Sequence, residues 1–238
     1  MKNNPDIFGI AFKDFLAGEV DGTIYIKTNV AGIEKLPVMY FFRGVKELPE
    51  WERLALEMTK GRVLDAGAGA GSHSIILQNK GHDVVALDLS PGAVEIMKDR
   101  GVINTVNNDF HDFTDDQKFD TMLFLMNGLG LAGKLSGLEK TLMHCHELLT
   151  PDGVIILESS DLIYLYENED GSALIDLAAN YYGEVVYTLS YKKHVGKPFD
   201  WLFLDYDNLE EIAGSCGFDA EMVYKGDSYN YLAVLKRK

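Results

Sequence analysis

The sequence predicts an α/β protein built on a mostly parallel, doubly wound sheet. Two observations carry that expectation. From residue 62 onward, short apolar runs alternate with amphipathic helical stripes. The runs are apolar throughout instead of at every second residue, as expected of parallel strands covered on both faces. Composition agrees: of 238 residues, 47% are hydrophobic and 25% charged, close to the globular average, so general disorder is excluded.

Taken in order, Phe8, Ala11, Phe12, Phe15 and Leu16 recur at helical spacing and predict an amphipathic helix with an aromatic face. Gly18 to Gly22 make a turn, and residues 23–30 read as a strand. Trp51, Leu54, Ala55 and Met58 form a second helical stripe that ends at Lys60-Gly61. Then the alternation begins: strand 62–66, helix 72–80 stopped by Gly81, strand 83–87, and helix 92–100 opened by Pro91 and stopped by Gly101. Strands at 102–106 and 121–126 follow. Leu138, Leu142, Cys145 and Leu149 stripe a helix that ends before Pro151, where Pro151-Asp152-Gly153 reads as a tight turn into strand 154–157. The last third departs from this rhythm. Segments 184–192 and 199–204 are β-rich around a turn at 194–198 and suggest an insertion. A helix at 208–216 and a hairpin at 221–225 and 229–235 close the chain. Right-handed crossovers would place every strand-to-helix loop at the carboxyl edge of the sheet, where ligands bind in such folds.

Lys and Arg number 22 and Asp and Glu 37, a formal charge of −15. A chain this acidic is repelled by phosphate backbones and anionic lipid surfaces, so neither a nucleic acid nor a membrane is expected as partner. Cys145 and Cys216 have no metal-type spacing and read as reduced, buried thiols. No apolar run reaches a membrane span, and the N-terminus shows no secretory pattern, so a soluble cytoplasmic protein is expected.

The strongest chemical signal is Val63-Leu64-Asp65-Ala66-Gly67-Ala68-Gly69-Ala70-Gly71, which ends one strand and opens a helix. Its glycines let the chain turn sharply and let a ligand press against the main chain. A dinucleotide-binding G-x-G-x-x-G would place its third glycine or alanine at position 72, which is Ser72. Asp88 ends the next strand, 21 residues after Gly67 (88 − 67), where a carboxylate can accept from both hydroxyls of a ribose. Val63–Gly71, followed by Val84–Pro91, resembles motifs I and II of the class I S-adenosyl-L-methionine (SAM)-dependent methyltransferases. Phe119–Gly130 matches that family's fourth motif in form, and Leu148–Val154 its turn before the fifth strand.

The resemblance implies a Rossmann-like fold, SAM as cofactor, and a cofactor site at Asp65, Ala66, Gly67, Ala68, Gly69, Gly71, Asp88, Leu89, Asp109, Phe110, Met126, Asn127 and Gly128. Asp109 would bond the adenine amino group and Phe110 pack on its ring. The implied reaction transfers a methyl group to a small-molecule acceptor and requires no metal. It divides the chain into an N-terminal extension or lid, residues 1–60, and a SAM-binding domain, residues 61–238, with an insertion at about 162–204. Residues 1–60 and 161–204 match nothing. Those are the stretches in which such enzymes build the acceptor pocket, so the acceptor, the atom methylated and the oligomeric state stay open. Two other functions compete: a nicotinamide-dependent oxidoreductase, and a non-catalytic SAM-binding protein.

Further residues have two readings each. Arg43 pairs with the cofactor's carboxylate or is a solvated cation. His73 reaches the cofactor or acceptor, or is only a helix-start residue. Glu158, Asp161 and His73 are the candidates for a general base. The Phe8/Phe12/Phe15 stripe is a lid helix or core packing. Tyr181, Tyr182, Tyr187 and Tyr191 line an acceptor pocket or are simply strand residues. His144 and His146, on either side of Cys145, do not share a helix face and read as surface histidines.

Overall fold

The computed structural model describes residues 4–168, 170, 172–175 and 180–238. Part of the insertion expected at 162–204 therefore lies outside the described residues. The chain forms two compact units: Met1–Thr114 with Tyr187–Phe199, and Asp115–Val186 with Asp200–Lys238.

The first unit opens with helix α1 (Ile7–Leu16), capped by Asp6, whose carboxylate accepts from Gly9 N at 2.9 Å. Strands β1 (Thr23–Lys27) and β2 (Ile33–Pro37) form an antiparallel hairpin. β1 is shorter than the sequence suggested. Thr28 N donates to Gly32 O and Ala31 N to Thr28 Oγ1, so the chain turns where the β-branched run seemed to continue. β2 was not anticipated. Four of its five residues are exposed, so it has no buried face to impose a period.

Helix α2 (Glu50–Met58) precedes a regular parallel array: β3 (Arg62–Ala66), helix α3 (Ser72–Asn79), β4 (Asp83–Asp88), helix α4 (Pro91–Asp99) and β5 (Asn104–Asn107). β3 pairs with β4 and β4 with β5, both parallel, with Ala66 beside Leu87 and Asp88 beside Asn107. The carboxyl ends of all three strands therefore lie at one edge.

α1 is held to the start of α4. Asp6 also accepts from Ser90 Oγ (2.7 Å) and Gly92 N (2.8 Å). A Cβ built on Gly92 would lie 2.5 Å from Gly9 Cα, so the two backbones meet with no room for a side chain. Gly92→Val is expected to cost about 1–3 kcal/mol, lowering Tm by roughly 2–10 °C in a thermal melt. The aromatic face of α1 is core. Phe12 is fully buried with Ile7, Ile24, Val38, Leu189 and Tyr191, and Phe8 and Phe15 pack against that cluster. Rings at Phe41 and Phe42, on a 3-10 turn over Val38–Phe42, complete it, with Phe15 stacked on Phe42 at 4.3 Å.

The second unit contains β6 (Phe119–Phe124), helix α5 (Leu135–Leu148) and β7 (Leu149–Ser160). The Pro151-Asp152-Gly153 turn expected before the strand is instead a bulge within it. Leu149 faces Phe119 and Val154 faces Thr121, so four residues of β7 oppose one of β6. A Cβ at Gly153 would approach Phe119 O to 2.9 Å, which explains the glycine.

Strand β8 (Glu184–Tyr191) carries the chain back to the first unit. There it pairs antiparallel with β1, Ser190 beside Tyr25, and with the short β9 (His194–Val195). Next come β10 (Phe199–Leu202), helix α6 (Tyr206–Ser215), β11 (Phe218–Lys225) and β12 (Asn230–Arg237). Within the second unit, β11, β12, β7 and β6 are neighbours in that order, and both pairings of β12 are antiparallel. The expected terminal hairpin is thus present. Cys145 and Cys216 are buried and unbridged. His144 and His146, expected at the surface, are half-buried, and His146 meets Phe218 edge to face at 5.6 Å. No described helix is long and apolar enough to cross a membrane.

Candidate functional site

The glycine loop is built by the end of β4. Leu87 O accepts from both Gly67 N (2.9 Å) and Ala68 N (3.0 Å), which bends the chain back immediately after β3. Gly67, Gly69 and Gly71 have φ of +78°, +58° and +80°, the left-handed region that glycine enters without strain. A Cβ at Gly67 would meet nothing within 4 Å, so the main chain there faces open space. At Gly71 a Cβ would press on Met97 Cγ at 2.9 Å, so that glycine is also required for packing.

Asp88 organises this edge. Its carboxylate accepts from Gly69 N and from Ser90 N, each at 2.8 Å, which locks the loop to the strand end. Burial pushes its carboxyl up to about 6, and Asp6 and Asp65 add to that effect. The Ser90 and Gly69 N–H groups oppose it. Leu89 is exposed, and Asn107 Nδ2 donates to the carbonyls of both Asp88 and Leu89 at 2.9 Å. One strand further on, Asp109 caps a 3-10 turn by accepting from His111 N at 2.9 Å. Its side chain is about half exposed. Phe110, expected to pack on a ligand ring, is buried and contacts His111 edge to face.

Beneath the loop lies a chain of buried ionisable groups. Asp65 is 3% exposed and accepts from Ser74 Oγ at 2.5 Å; burial raises its carboxyl above the ordinary range. Glu52 is 2% exposed. It accepts from Arg43 Nη2 through both oxygens, at 2.9 and 3.0 Å, and its Oε2 lies 2.7 Å from His73 Nε2. Burial alone would raise Glu52 and lower His73. The hydrogen bond and charge between them reverse both: Glu52, with Arg43 also beside it, is held low. His73, with Asp65 also near, is held above its usual value.

Arg43 is therefore not a solvated cation. Its Nε donates to Tyr40 O at 2.7 Å, and its guanidinium stacks over the Tyr40 ring at 4.1 Å. His73 is more than a helix-start residue, since its imidazole is committed to Glu52. The same segment reaches the loop again where Ser72 Oγ donates to Phe41 O at 2.6 Å. There Phe41 Cδ1 lies 3.5 Å from the Cβ position of Gly69.

In the second unit, Met126 and Asn127 follow β6 in left-handed backbone, φ +54° and +57°, costly for residues other than glycine. Three side-chain contacts hold the turn: Met126 N donates to Glu158 Oε2 at 2.8 Å, Asn127 Oδ1 accepts from Ser159 Oγ at 2.8 Å, and Asn127 Nδ2 donates to Leu202 O at 3.1 Å. Gly128 opens the 3-10 turn Gly128–Ala132. Asp161 accepts from Ile163 N and Tyr182 OH, both at 2.8 Å. Tyr181 OH donates to Asp205. Burial first, then these carboxylates, push both phenols far above their ordinary range. Tyr191 is buried in the first unit's core and Tyr187 packs on that core, whereas Tyr181 and Tyr182 belong to the second unit.

A family model described as "Methyltransferase domain" matches residues 63–153, the stretch from β3 to the bulge of β7. A crystal structure of a SAM-dependent methyltransferase from Bacteroides fragilis, in complex with S-adenosyl-L-homocysteine, is 40% identical. It superposes with a TM-score of 0.90 over 98% of this chain and 94% of its own. The chain belongs to the SAM-dependent methyltransferases. An uncharacterized methyltransferase of Staphylococcus carnosus is 28% identical over 75% of this chain and 79% of its own. Magnesium-protoporphyrin O-methyltransferase of Rhodobacter capsulatus is 28% identical over 63% of this chain and 54% of its own.

Family membership decides between methyl and hydride transfer, and it establishes the Rossmann-like α/β fold and SAM as the cofactor of this methyltransferase. Sequence reasoning missed Glu52, Ser74 and Asp6. Glu52 left a signal: it shares the buried helical face of Ala55, Leu56 and Thr59, at i, i+3, i+4 and i+7. An acid on that face requires partners. Among the described residues, no group of three or more His, Cys, Asp or Glu is arranged to hold a metal ion.

Proposed function

We propose that this methyltransferase carries a methyl group from SAM to a small-molecule acceptor, with the cofactor held by the loop 65–71, Asp88, Leu89 and Asp109 of the first unit. Met126, Asn127 and Gly128 are assigned to the same cofactor from the motif they match. The carrying observation is the loop itself: three left-handed glycines, open space over Gly67, and a strand-end carboxylate tied to Gly69. SAM supplies the electrophilic methyl and its own leaving group. The protein's work is to bind, orient and exclude water.

Asp88 uses one lone pair on each oxygen for Gly69 N and Ser90 N, and a carboxylate offers about four. The remaining lone pairs suit the two ribose hydroxyls. The backbone of Gly67–Gly69, interrupted only by the Ala68 methyl, gives the amino-acid end a surface nearly free of side chains. Asp109 suits the adenine amino group. Arg43 is anchored by Glu52 and Tyr40 near the loop, where a guanidinium attracts the cofactor's carboxylate.

A small acceptor is favoured over a nucleic acid by the net charge of −15. Two curated relatives carry the names of enzymes for small acceptors, magnesium-protoporphyrin and glycine/sarcosine. Glu158 and Asp161 are assigned structural work first, at Met126 N and at Ile163 N with Tyr182 OH. An acceptor whose nucleophile is already unprotonated needs no base.

Titration by calorimetry tests the cofactor half: micromolar SAM binding is expected, with none for NADH. The reverse pattern would overturn it. A panel of amine, hydroxyl, thiol and carbon-acid metabolites, with labelled SAM, tests the acceptor half. Methylation of a protein or nucleic acid alone would sink it.

A pH dependence follows from Asp88. Its folded carboxyl titrates near 6, above the unfolded value of about 4. Protonation is therefore favoured in the folded state. The stability this group contributes is present below about pH 4 and is lost as pH rises through 6. SAM needs the ionised form as acceptor. The share of the affinity that depends on Asp88 should change little from pH 8 to 7 and fall toward tenfold per unit below 6, read as Kd by calorimetry.

A further inference from the structure

We propose that Glu52 is a positioning residue for the cofactor's amino-acid end, and that the group Arg43, Glu52, His73 and Asp65 gives up a proton when the positively charged cofactor is seated. The inference rests on the cofactor assignment above and adds to it a role for residues that the motif does not contain.

The geometry is specific. Asp65 is the penultimate residue of β3, just before the loop begins, and His73 stands in the first turn of α3 where the loop finishes, so the two bracket it. Glu52 comes from α2 and Arg43 from the segment after the 3-10 turn, and both are buried against His73. The groups facing His73 are thus Glu52 on α2, Asp65 on β3 and Arg43 before α2.

With His73 protonated and Asp65 and Glu52 ionised, the chain holds two cations and two anions and is neutral as a whole. That balance is what permits four ionisable groups out of water, since a buried charge needs a compensating partner. SAM brings an ammonium and a sulfonium against one carboxylate, a net charge of +1. Seated on the loop, it would leave an uncompensated positive charge beside the balanced chain. Loss of the Nε2 or Nδ1 proton of His73 to solvent restores neutrality. The chain then carries −1 against the cofactor's +1, no covalent bond changes, and the proton goes to buffer. Glu52 meanwhile keeps Arg43 in place, because its two oxygens fix the guanidinium before the cofactor's carboxylate arrives. S-adenosyl-L-homocysteine, a neutral thioether with no net charge, should displace less of the proton.

The experiment is calorimetric titration of the full chain with SAM at pH 7 in buffers of different ionisation enthalpy. The slope of observed heat against buffer enthalpy gives protons released per cofactor bound. Asp88 is about nine-tenths ionised at pH 7 and contributes roughly a tenth of a proton or less. A release clearly above the Asp88 level is expected for SAM and a smaller one for S-adenosyl-L-homocysteine. It should drop to the Asp88 level in His73→Gln, and also in Glu52→Gln, where His73 loses the anion that keeps it charged. Glu52→Gln should in addition weaken SAM about tenfold by freeing Arg43.

SAM binding with no release beyond the Asp88 level overturns the inference and leaves the cofactor assignment standing. No SAM binding at all removes both. Should circular dichroism show either variant unfolded, the wild-type pH profile decides. Release must fade as pH rises through the imidazole's own titration in the cofactor-free protein, followed by NMR, and a release that persists once that ring is neutral counts against the proposal.

Discussion

Asp88→Ala is expected to weaken SAM binding by roughly a hundredfold or more, the largest functional effect of any single substitution at the loop. Two charge-assisted hydrogen bonds to ribose hydroxyls are worth about 1.5–3 kcal/mol each, so their joint loss is on the order of 3–6 kcal/mol. The variant also frees Gly69 N, now held at 2.8 Å, and slackens the loop. Stability should move differently. An ionised carboxylate in a site that raises it to about 6 is a cost to the fold at neutral pH, so Asp88→Asn, which relieves that cost but can accept from only one of Gly69 N and Ser90 N, should melt near the wild type while losing the cofactor. Calorimetric Kd values and thermal melts on the same samples check both parts. Binding within about threefold of wild type would mean that the ribose is held elsewhere.

The largest effect on stability is expected at Glu52. Glu52→Ala leaves Arg43 and His73 buried without their shared anion. Breaking a buried ion pair by removing one partner costs about 3–5 kcal/mol, a large part of the roughly 5–15 kcal/mol available to a domain. Urea unfolding should show a lower midpoint with an unchanged slope. Because His73 then lacks the anion that keeps it charged, the destabilisation should shrink as pH rises and the imidazole goes neutral. Arg43 remains charged throughout, so a residual cost persists. A loss under about 1 kcal/mol would indicate that water enters the space and solvates both cations.

Much of the candidate site was legible because it is local. Val63–Gly71 is a strand, a bend and a helix start in nine consecutive residues, and the left-handed φ of its three glycines is a property that glycine alone offers cheaply. Asp88 and Asp109 were legible because parallel strands joined by right-handed crossovers bring every strand end to one edge, and the registers of β3, β4 and β5 do so. The bulge at Pro151–Gly153 was misjudged as a tight turn, since the same residues suit both and only the partner strand distinguishes them. Glu52 was passed over because its neighbours Trp51 and Leu54 suggested a face one position away from the buried one.

By itself, then, the sequence determined the order of strands and helices from residue 62, the glycine bend and the acids that follow it, because each depends on backbone preference and on apolar period within a short window. Tertiary structure alone decided that β8 returns to pair with β1, some 165 residues earlier (190 − 25), and that Arg43, Glu52, His73 and Asp65 share one buried chain. Those choices are settled by which surfaces exclude water together and which buried charges find partners, quantities that no short stretch of sequence contains.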